Sequence, residues 1–559
     1  MLSKKFHEAA YQQKKPYLKF IQKLGAGGLS GFFKFPGEQF SLWWFSLIAE
    51  KSPGKTEVYE KLISLLINSE QHKRKKSLRE KLSGCWILSF LKGCYSFCCF
   101  VTRVCVIKSA LPDFKARVPA LKLKKNIIVS CFPLIDKEKA KRDLFENKFI
   151  APFHRLMGES FSGSYAHVCL QVDYDDNNLE DSIRQLKRFI NKESIFLLEE
   201  FIKLADLGKV LFYYLYFSVI SILNIPKSKK LFVYNYNSQQ IKVWDLFKAD
   251  YYTSFCGSAL MSSLGHIFLF RRVFDYLDNN SKVVVVAEMH EWEKALFVSA
   301  KKKEILTIAF QHAHLPELLL NYFNDKEEIN GSDFVLHCPL PDYLATVGDT
   351  AAGLFQEYGW PKERVFVWGA QRFEPLKLLR GGYYKKKENL FVCAFSMIPS
   401  EAQNVLLLLE QAFPDYPGYK IILKGHSLLN IQSIERNLKL RLNQETFEYS
   451  KDSLEKLSTC AQGMIVTGSS SCFYAMASGS QVIIPLFAGR LDLNPLSYIS
   501  DIPFYVFSAQ ELRRICDSII NKTAPAVTQE RFDTFLNRYF YFPDDDSEYM
   551  RKIDCLAKG

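Results

Sequence analysis

The chain has 559 residues, of which 48% are apolar and 14% aromatic, enough to bury more than one core and too apolar for a disordered protein. Its net charge of +13 is concentrated at one end: residues 1–125 carry 24 Lys or Arg against 8 Asp or Glu, and the remainder 49 against 52. No nucleic-acid reader module accompanies that charge, so nucleic acid is not an expected partner. The fourteen cysteines, mostly single in apolar runs (Cys131, Cys169, Cys393, Cys516) and without CxxC pairs, argue against a disulfide framework and read as reduced core thiols.

In chain order, the start MLSKKFHEAAYQQKK is polar and lacks the apolar region of a signal peptide, so a cytoplasmic location is expected. The basic run Lys73-Arg74-Lys75-Lys76 precedes CWILSFLKGCYSFCCFVTRVCVI (85–107), which Lys92 and Arg103 interrupt. Those charges favour a segment lying at an anionic membrane surface over a true span; a buried helix with a basic flank is the alternative. Residues 1–120 are thus read as a basic, mostly helical extension.

The first buried strand is expected within 121–132 and opens an α/β domain over 121–378. Further strands are expected at 165–172, 283–287 and 305–310, with helices at 180–192 and 194–206. The alternation implies a mostly parallel sheet. VLFYYLYFSVISILNIP (210–226) reads as a buried core helix, being short for a span. Asp173-Tyr174-Asp175 is a DxD, but in the acidic loop DYDDNNLED (173–181) it reads as a turn and helix cap.

VVVVAEMHEWEKAL (283–296) runs from a strand into a helix and places Glu288, His290 and Glu291 at the strand's carboxyl end, the side on which open α/β sheets bind ligands. Glu288 is the first candidate for a general base, with Glu291 behind it; Trp292 and Glu293 read as structural. The next strand ends in Gln311-His312-Ala313-His314. His312 is a candidate to assist the base, Gln311 and His314 to bind the acceptor. No metal cluster is expected. Arg372, after the strand 364–368, could reach a phosphate through its fork or brace the linker.

After the polar linker 379–389, a second α/β series covers 388–535. Its strand 388–396 and helix 400–413 lead to KIILKGHSLL (420–429), where Lys424 and His426 sit beyond a strand end. GMIVTGSSSCFYAMASGSQVIIPL (463–486) is then strand, turn, small-residue helix 472–478 and strand. Thr467, Ser469, Ser470 and Ser471 offer hydroxyls and amides at a helix start, where an anion is held without metal. Simple helix capping is the alternative.

The Lys-x-His and Ser-Ser elements are similar to the HP and S/T motifs of bacterial GT-B sialyltransferases and Kdo-type transferases. The wider chain resembles a bacterial family identified as surface carbohydrate biosynthesis proteins. That likeness runs from LWWFSLIAEKSP (42–53), through AEMHEWEKAL (287–296), TIAFQHAH (307–314) and YGWPKERVFVWGAQRFEP (358–375), to the SSS turn. Gly425 and Ser427 stand where the sialyltransferase motif has a proline beside the histidine.

The resemblance implies a GT-B fold, two Rossmann-like domains facing across a cleft, with residues 536–559 crossing back to the first. It implies an inverting, metal-independent and cofactor-free glycosyltransferase of surface-polysaccharide (capsule or lipopolysaccharide) assembly, peripheral at the inner face of the cytoplasmic membrane. Its partners would be a nucleotide-sugar donor, favoured as a CMP-linked ulosonic acid, and a saccharide or lipid-linked acceptor. A uridine or guanosine diphosphate sugar follows closely. Rival readings are a CDP-linked polyol-phosphate transferase, a nucleotide-sugar 2-epimerase and a non-catalytic assembly scaffold.

Overall fold

In the computed structural model, which describes residues 2–67, 84–111, 114–132, 145–146, 150–160, 165–171, 178–190, 194–331, 337–379, 389–426, 429–498, 502–525 and 527–556, the apolar runs before residue 370 form a seven-stranded sheet. In chain order its strands are β1 (Asn126–Phe132), β2 (Tyr165–Gln171), β3 (Ile195–Leu197) and, beyond a hairpin of β4 (Val233–Tyr236) and β5 (Gln239–Lys242), β6 (Lys282–Val286), β7 (Leu306–Phe310), β8 (Tyr343–Thr346) and β9 (Val365–Val367). A second, six-stranded sheet contains β10 (Leu390–Ala394), β11 (Lys420–Lys424), β12 (Phe447–Tyr449), β13 (Gly463–Val466), β14 (Gln481–Pro485) and β15 (Phe504–Val506). Their spatial orders are β3-β2-β1-β6-β7-β8-β9 and β12-β11-β10-β13-β14-β15, and neighbours in both are parallel. β2, β7, β10 and β13 are buried along their whole lengths, as strands covered on both faces must be.

Each sheet grows outward from its first strand and then restarts on that strand's other side. The resulting switch points lie between β1 and β6 and between β10 and β13, where doubly wound sheets open a crevice at their carboxyl ends. Those ends face one another: the His314 ring, beyond β7, bonds the Leu493 backbone beyond β14 and lies 6.4 Å from the Phe473 ring. The fold is GT-B, with a helical extension before the first sheet. The chain's end returns to the first sheet: the Ala370 amide donates to the Tyr541 carbonyl (2.8 Å) and Trp368 Nε1 to the Tyr549 carbonyl (2.9 Å).

The basic first segment belongs to the core. Helix α1 (Leu2–Leu24) buries Phe6, Ala10, Tyr17 and Ile21 and spans both halves of the molecule, its Ser3 hydroxyl donating to the Leu486 carbonyl (2.8 Å) and Tyr11 to Asp492 (3.0 Å). Trp43 and Trp44 are buried. Lys73–Lys76 and the acidic loop at Asp173–Asp176 lie outside the described residues.

Two expectations need correction. The helix expected over 194–206 is strand β3 followed by a 3-10 turn at Leu198–Glu200. Ile195–Leu197 is fully buried, and the Glu200 carboxylate folds back to accept the Leu197 amide (2.7 Å). The expected core helix at 210–226 is α3 (Leu204–Leu223), which follows α2 (Trp86–Ala110) in chain order. It is buried on one side only, with Phe212, Leu215, Tyr216 and Val219 exposed. Continuous apolar composition concealed this because the outward positions are as apolar as the inward ones.

Candidate functional site

The first site is built where the valine run of β6 ends. Ala287 is buried, and Met289 adopts a left-handed φ of 59°, a conformation that strains a residue with a Cβ and is found at functional loops. Helix α4 (Glu291–Lys302) then begins. Its buried Glu293 turns back to accept the amides of Glu288 and His290, each at 2.7 Å. Burial, reinforced by the nearby Glu288 charge, pushes the Glu293 carboxyl up to about 8 despite those bonds. Asn321 donates to the Glu288 carbonyl (2.7 Å) and Tyr322 to that of Ala287 (2.7 Å). Glu293 therefore braces the backbone of the loop, which Asn321 and Tyr322 hold from the other side.

This frame presents Glu288 between two imidazoles. Its Oε1 lies 3.3 Å from Nε2 of the buried His312, and its Oε2 3.8 Å from Nε2 of His290, while a third of the carboxylate side chain remains exposed. His290 Nδ1 is 2.7 Å from Glu50. Burial would depress the His290 ring, but the Glu50 bond prevails and raises it above its ordinary value. Glu50, only 1% exposed, is also paired with Lys55.

Glu291 is sent elsewhere. It binds Lys55 (2.6 Å) and lies 3.9 Å from His266. Burial opposes its ionisation, yet Lys55 and His266 hold it well below the usual carboxylate range. It lines a separate cleft of about 610 Å³ together with Glu50, His266, Phe100 and Arg103, so the structure does not bring it beside Glu288. Gln311 does not point to an acceptor either. Its amide donates to the Ala313 carbonyl (2.8 Å) and its oxygen accepts the Val347 amide (3.3 Å), which fixes the strand ends. His314 is pushed down to about 4 by burial and the neighbouring Arg372 and joins the two sheets. Arg372 is accessible but walled in. The crowding of the atoms around it lowers its basicity, against the opposing pull of Tyr474 of the opposite half and of Glu288.

The second site lies at the other switch point, beyond β13. The Thr467 carbonyl accepts the Ser469 amide (2.6 Å) and the Asn494 side chain (2.8 Å). The Ser469 and Ser471 hydroxyls are 2.8 Å apart, and the Ser471 amide donates to Ser469 Oγ (3.3 Å). Ser470 stands at the start of a short helix, Ser471–Ala477, and Gly479 ends it at φ 76°. The Gly468 amide is already occupied by Glu401 (3.3 Å), which is held up in pKa by burial. Beneath the turn, burial pushes Asp492 up to about 6.

Lys424 does not join this turn. Its ammonium donates to the Lys451 carbonyl (3.4 Å), and β10 separates β11 from β13, so the Lys424–His426 loop stands about 10 Å from the serines at ordinary strand spacing. His426 is half-buried and its carbonyl accepts the Leu429 amide (3.0 Å). Ser427 lies outside the described residues.

Sequence reasoning missed Glu50, Lys55 and Glu401. Glu50 lies within the LWWFSLIAEKSP stretch, but nothing in its local pattern announces a partner 240 positions away. Glu401 is an ordinary first-turn carboxylate by sequence, so only the fold shows it under the Gly468 amide. Among the described residues no group of three or more His, Cys, Asp or Glu is arranged to hold a metal ion.

No protein-family model and no curated protein matches this chain. Among solved structures it is similar to HepE of Anabaena in complex with UDP-glucose, at 12% identity and a TM-score of 0.41, over 77% of this chain and 98% of that one. It is similar to the calicheamicin glycosyltransferase at 9% identity and 0.40, over 77% and 97%. A third is the UDP-GlcNAc 2-epimerase of Neisseria meningitidis bound to UDP-GlcNAc, at 10% and 0.39, over 77% and 98%.

Proposed function

We propose that the protein is a glycosyltransferase that moves a sugar from a nucleotide donor onto a saccharide or lipid-linked acceptor of a bacterial surface polysaccharide. The observation that carries this reading is Glu288: a partly exposed carboxylate at the first sheet's switch point, held between His312 and His290. Arg372 interacts electrostatically with it and with Tyr474 of the opposite wall. Such a carboxylate takes the acceptor hydroxyl's proton as the hydroxyl attacks the anomeric carbon. His312 and His290 position it and disperse the proton's charge, and inversion follows from attack opposite the departing nucleotide.

We assign the acceptor to the half spanning 121–378 and the donor to that spanning 388–535. Ser469, Ser470 and Ser471 hold the departing phosphate through their hydroxyls, and Arg372 supplies charge from across the cleft. His426, two strands along, contacts the part of the donor joined to that phosphate. The Lys-x-His and Ser-Ser resemblance supports CMP as the nucleotide, and a uridine or guanosine diphosphate sugar is the alternative the turn serves equally. The location is the inner face of the cytoplasmic membrane.

Thermal shift across CMP, CDP, UDP and GDP identifies the nucleotide, because selective binding raises apparent stability. Acceptor-dependent nucleotide release then tests transfer. A second reading is favoured by the same Glu288–His312 pair, which could remove a carbon-bound proton as in a nucleotide-sugar epimerase. Solvent deuterium entering the donor sugar without acceptor would establish that reading and overturn transfer.

A further inference from the structure

Helices α2 and α3 are both long and apolar enough to cross a bilayer, yet each is a surface element of the first half. Only 17% of the most apolar stretch of α2 and 39% of that of α3 is buried, against 72% for the third such stretch, Trp244–Phe274, which is core. Each keeps a single stripe on the domain along its length: Ser89, Gly93, Val104 and Ile107 of α2, and Leu207, Val210, Tyr214 and Phe217 of α3. The two run antiparallel. The Tyr214 hydroxyl donates to the Phe90 carbonyl (2.7 Å), while Val104 and Lys108 share the lining of a cleft of about 350 Å³ with Leu204 and Leu207 at the other end.

Their outward faces hold most of the exposed apolar side chains. Of the 19 exposed large apolar side chains among the described residues, 11 lie on these two helices, including Ile87, Leu91, Tyr95, Phe212, Val219 and Leu223. So strong a concentration of exposed apolar side chains on two neighbouring helices marks an interaction site. Its charge is one-sided. Helix α2 contains no acidic residue, and the one on α3, Asp206, is tied to Arg272 (2.6 Å). Lys108, Lys203 and Lys209 stand exposed at one end, and Lys227, Lys229 and Lys230 just beyond the other.

We propose that α2 and α3 together form a docking face for an anionic lipid bilayer, lying in the plane of the interface and not crossing it. Spanning would strip the buried stripes from the domain. In-plane insertion leaves them in place, sinks the apolar row to acyl-chain depth and sets the cations at headgroup level. A second copy of the chain suits the face less, since its cations would meet like charges. The inference goes beyond the transfer chemistry, as docking requires no activity.

The test is co-sedimentation of the full chain with vesicles of phosphatidylcholine alone or containing 30% phosphatidylglycerol. Wild type should bind the anionic vesicles, bind neutral ones at least tenfold less, and be released by alkaline carbonate. Phe212→Gln with Val219→Gln should cut binding at least tenfold with an unchanged circular dichroism spectrum, since both side chains are exposed. The control pair Leu378→Gln with Met397→Gln, exposed apolar residues elsewhere, should bind as wild type. Equal binding by both pairs overturns the face. Carbonate resistance overturns the in-plane arrangement. Failure of wild type to bind, with the Phe212 pair converting a dimer to monomer, makes the face a contact between copies and overturns the proposal.

Discussion

The two switch-point loops do the same topological job with opposite materials. Beyond β6, side chains hold the loop: Glu293, Asn321 and Tyr322 fix its backbone, and Glu50, His290 and His312 fix Glu288. Beyond β13, backbone and hydroxyls do the work, through the Thr467 carbonyl and the Ser469–Ser471 pair. The first arrangement suits a group that must change its protonation in a fixed place. The second suits an anion held by several small contacts, none of them decisive.

Breaking the first loop should therefore cost most. Glu288→Gln should lower the transfer rate about 10²–10⁴-fold, the usual contribution of a positioned base, while nucleotide thermal shifts stay unchanged. A comparable loss from Glu291→Gln, with Glu288→Gln active, would move the chemistry to the Lys55 side of Glu50 and reverse the comparison.

In the second half, His426→Ala should reduce turnover by about 2.7–4 kcal/mol if the imidazole meets the donor as charge departs. Near-wild-type kcat in the folded variant would remove His426 from the site.

Asp492 sharpens the contrast through pH. Burial raises its carboxyl to about 6, so between pH 4 and 6 the unfolded chain releases a proton that the folded chain keeps, and stability falls as pH rises through that window. Urea unfolding should show wild type losing up to roughly 3 kcal/mol relative to Asp492→Asn between pH 4 and 6, with the difference constant above pH 7. A difference independent of pH would mean that Asp492 ionises normally.

The smallest effects belong to the serines. Ser469→Ala or Ser470→Ala should each weaken donor binding by about 1 kcal/mol, the net worth of one hydrogen bond. Unchanged titrations in the double variant would reduce the turn to a helix cap.

The sheets were legible because their strands are short, fully apolar and bounded by polar turns, as at 283–286 and 463–466. So was Glu288, since a carboxylate directly after such a strand must emerge at its carboxyl end. The partners of Glu288 were less so. His312 follows the next strand and neighbours it by sheet order, whereas Glu50 and Lys55 arrive from the amino-terminal extension through contacts without local pattern. Gln311 and Lys424 misled because position at a strand end says nothing of side-chain direction: one turns back to Ala313 and Val347, the other to Lys451. Strand β3 was misread because a three-residue buried run beside two glutamates has the composition of a helix start.

Helix α1 gives the molecule an order of assembly. Ser3 and Tyr11 find Leu486 and Asp492, partners 483 and 481 residues further along the chain. At ribosomal rates of about 5–20 residues per second, roughly 25–100 s pass before those partners exist. The residues of this helix thus complete their contacts long after they are made, and until then Ser3 and Tyr11 wait without the polar partners they have in the finished fold.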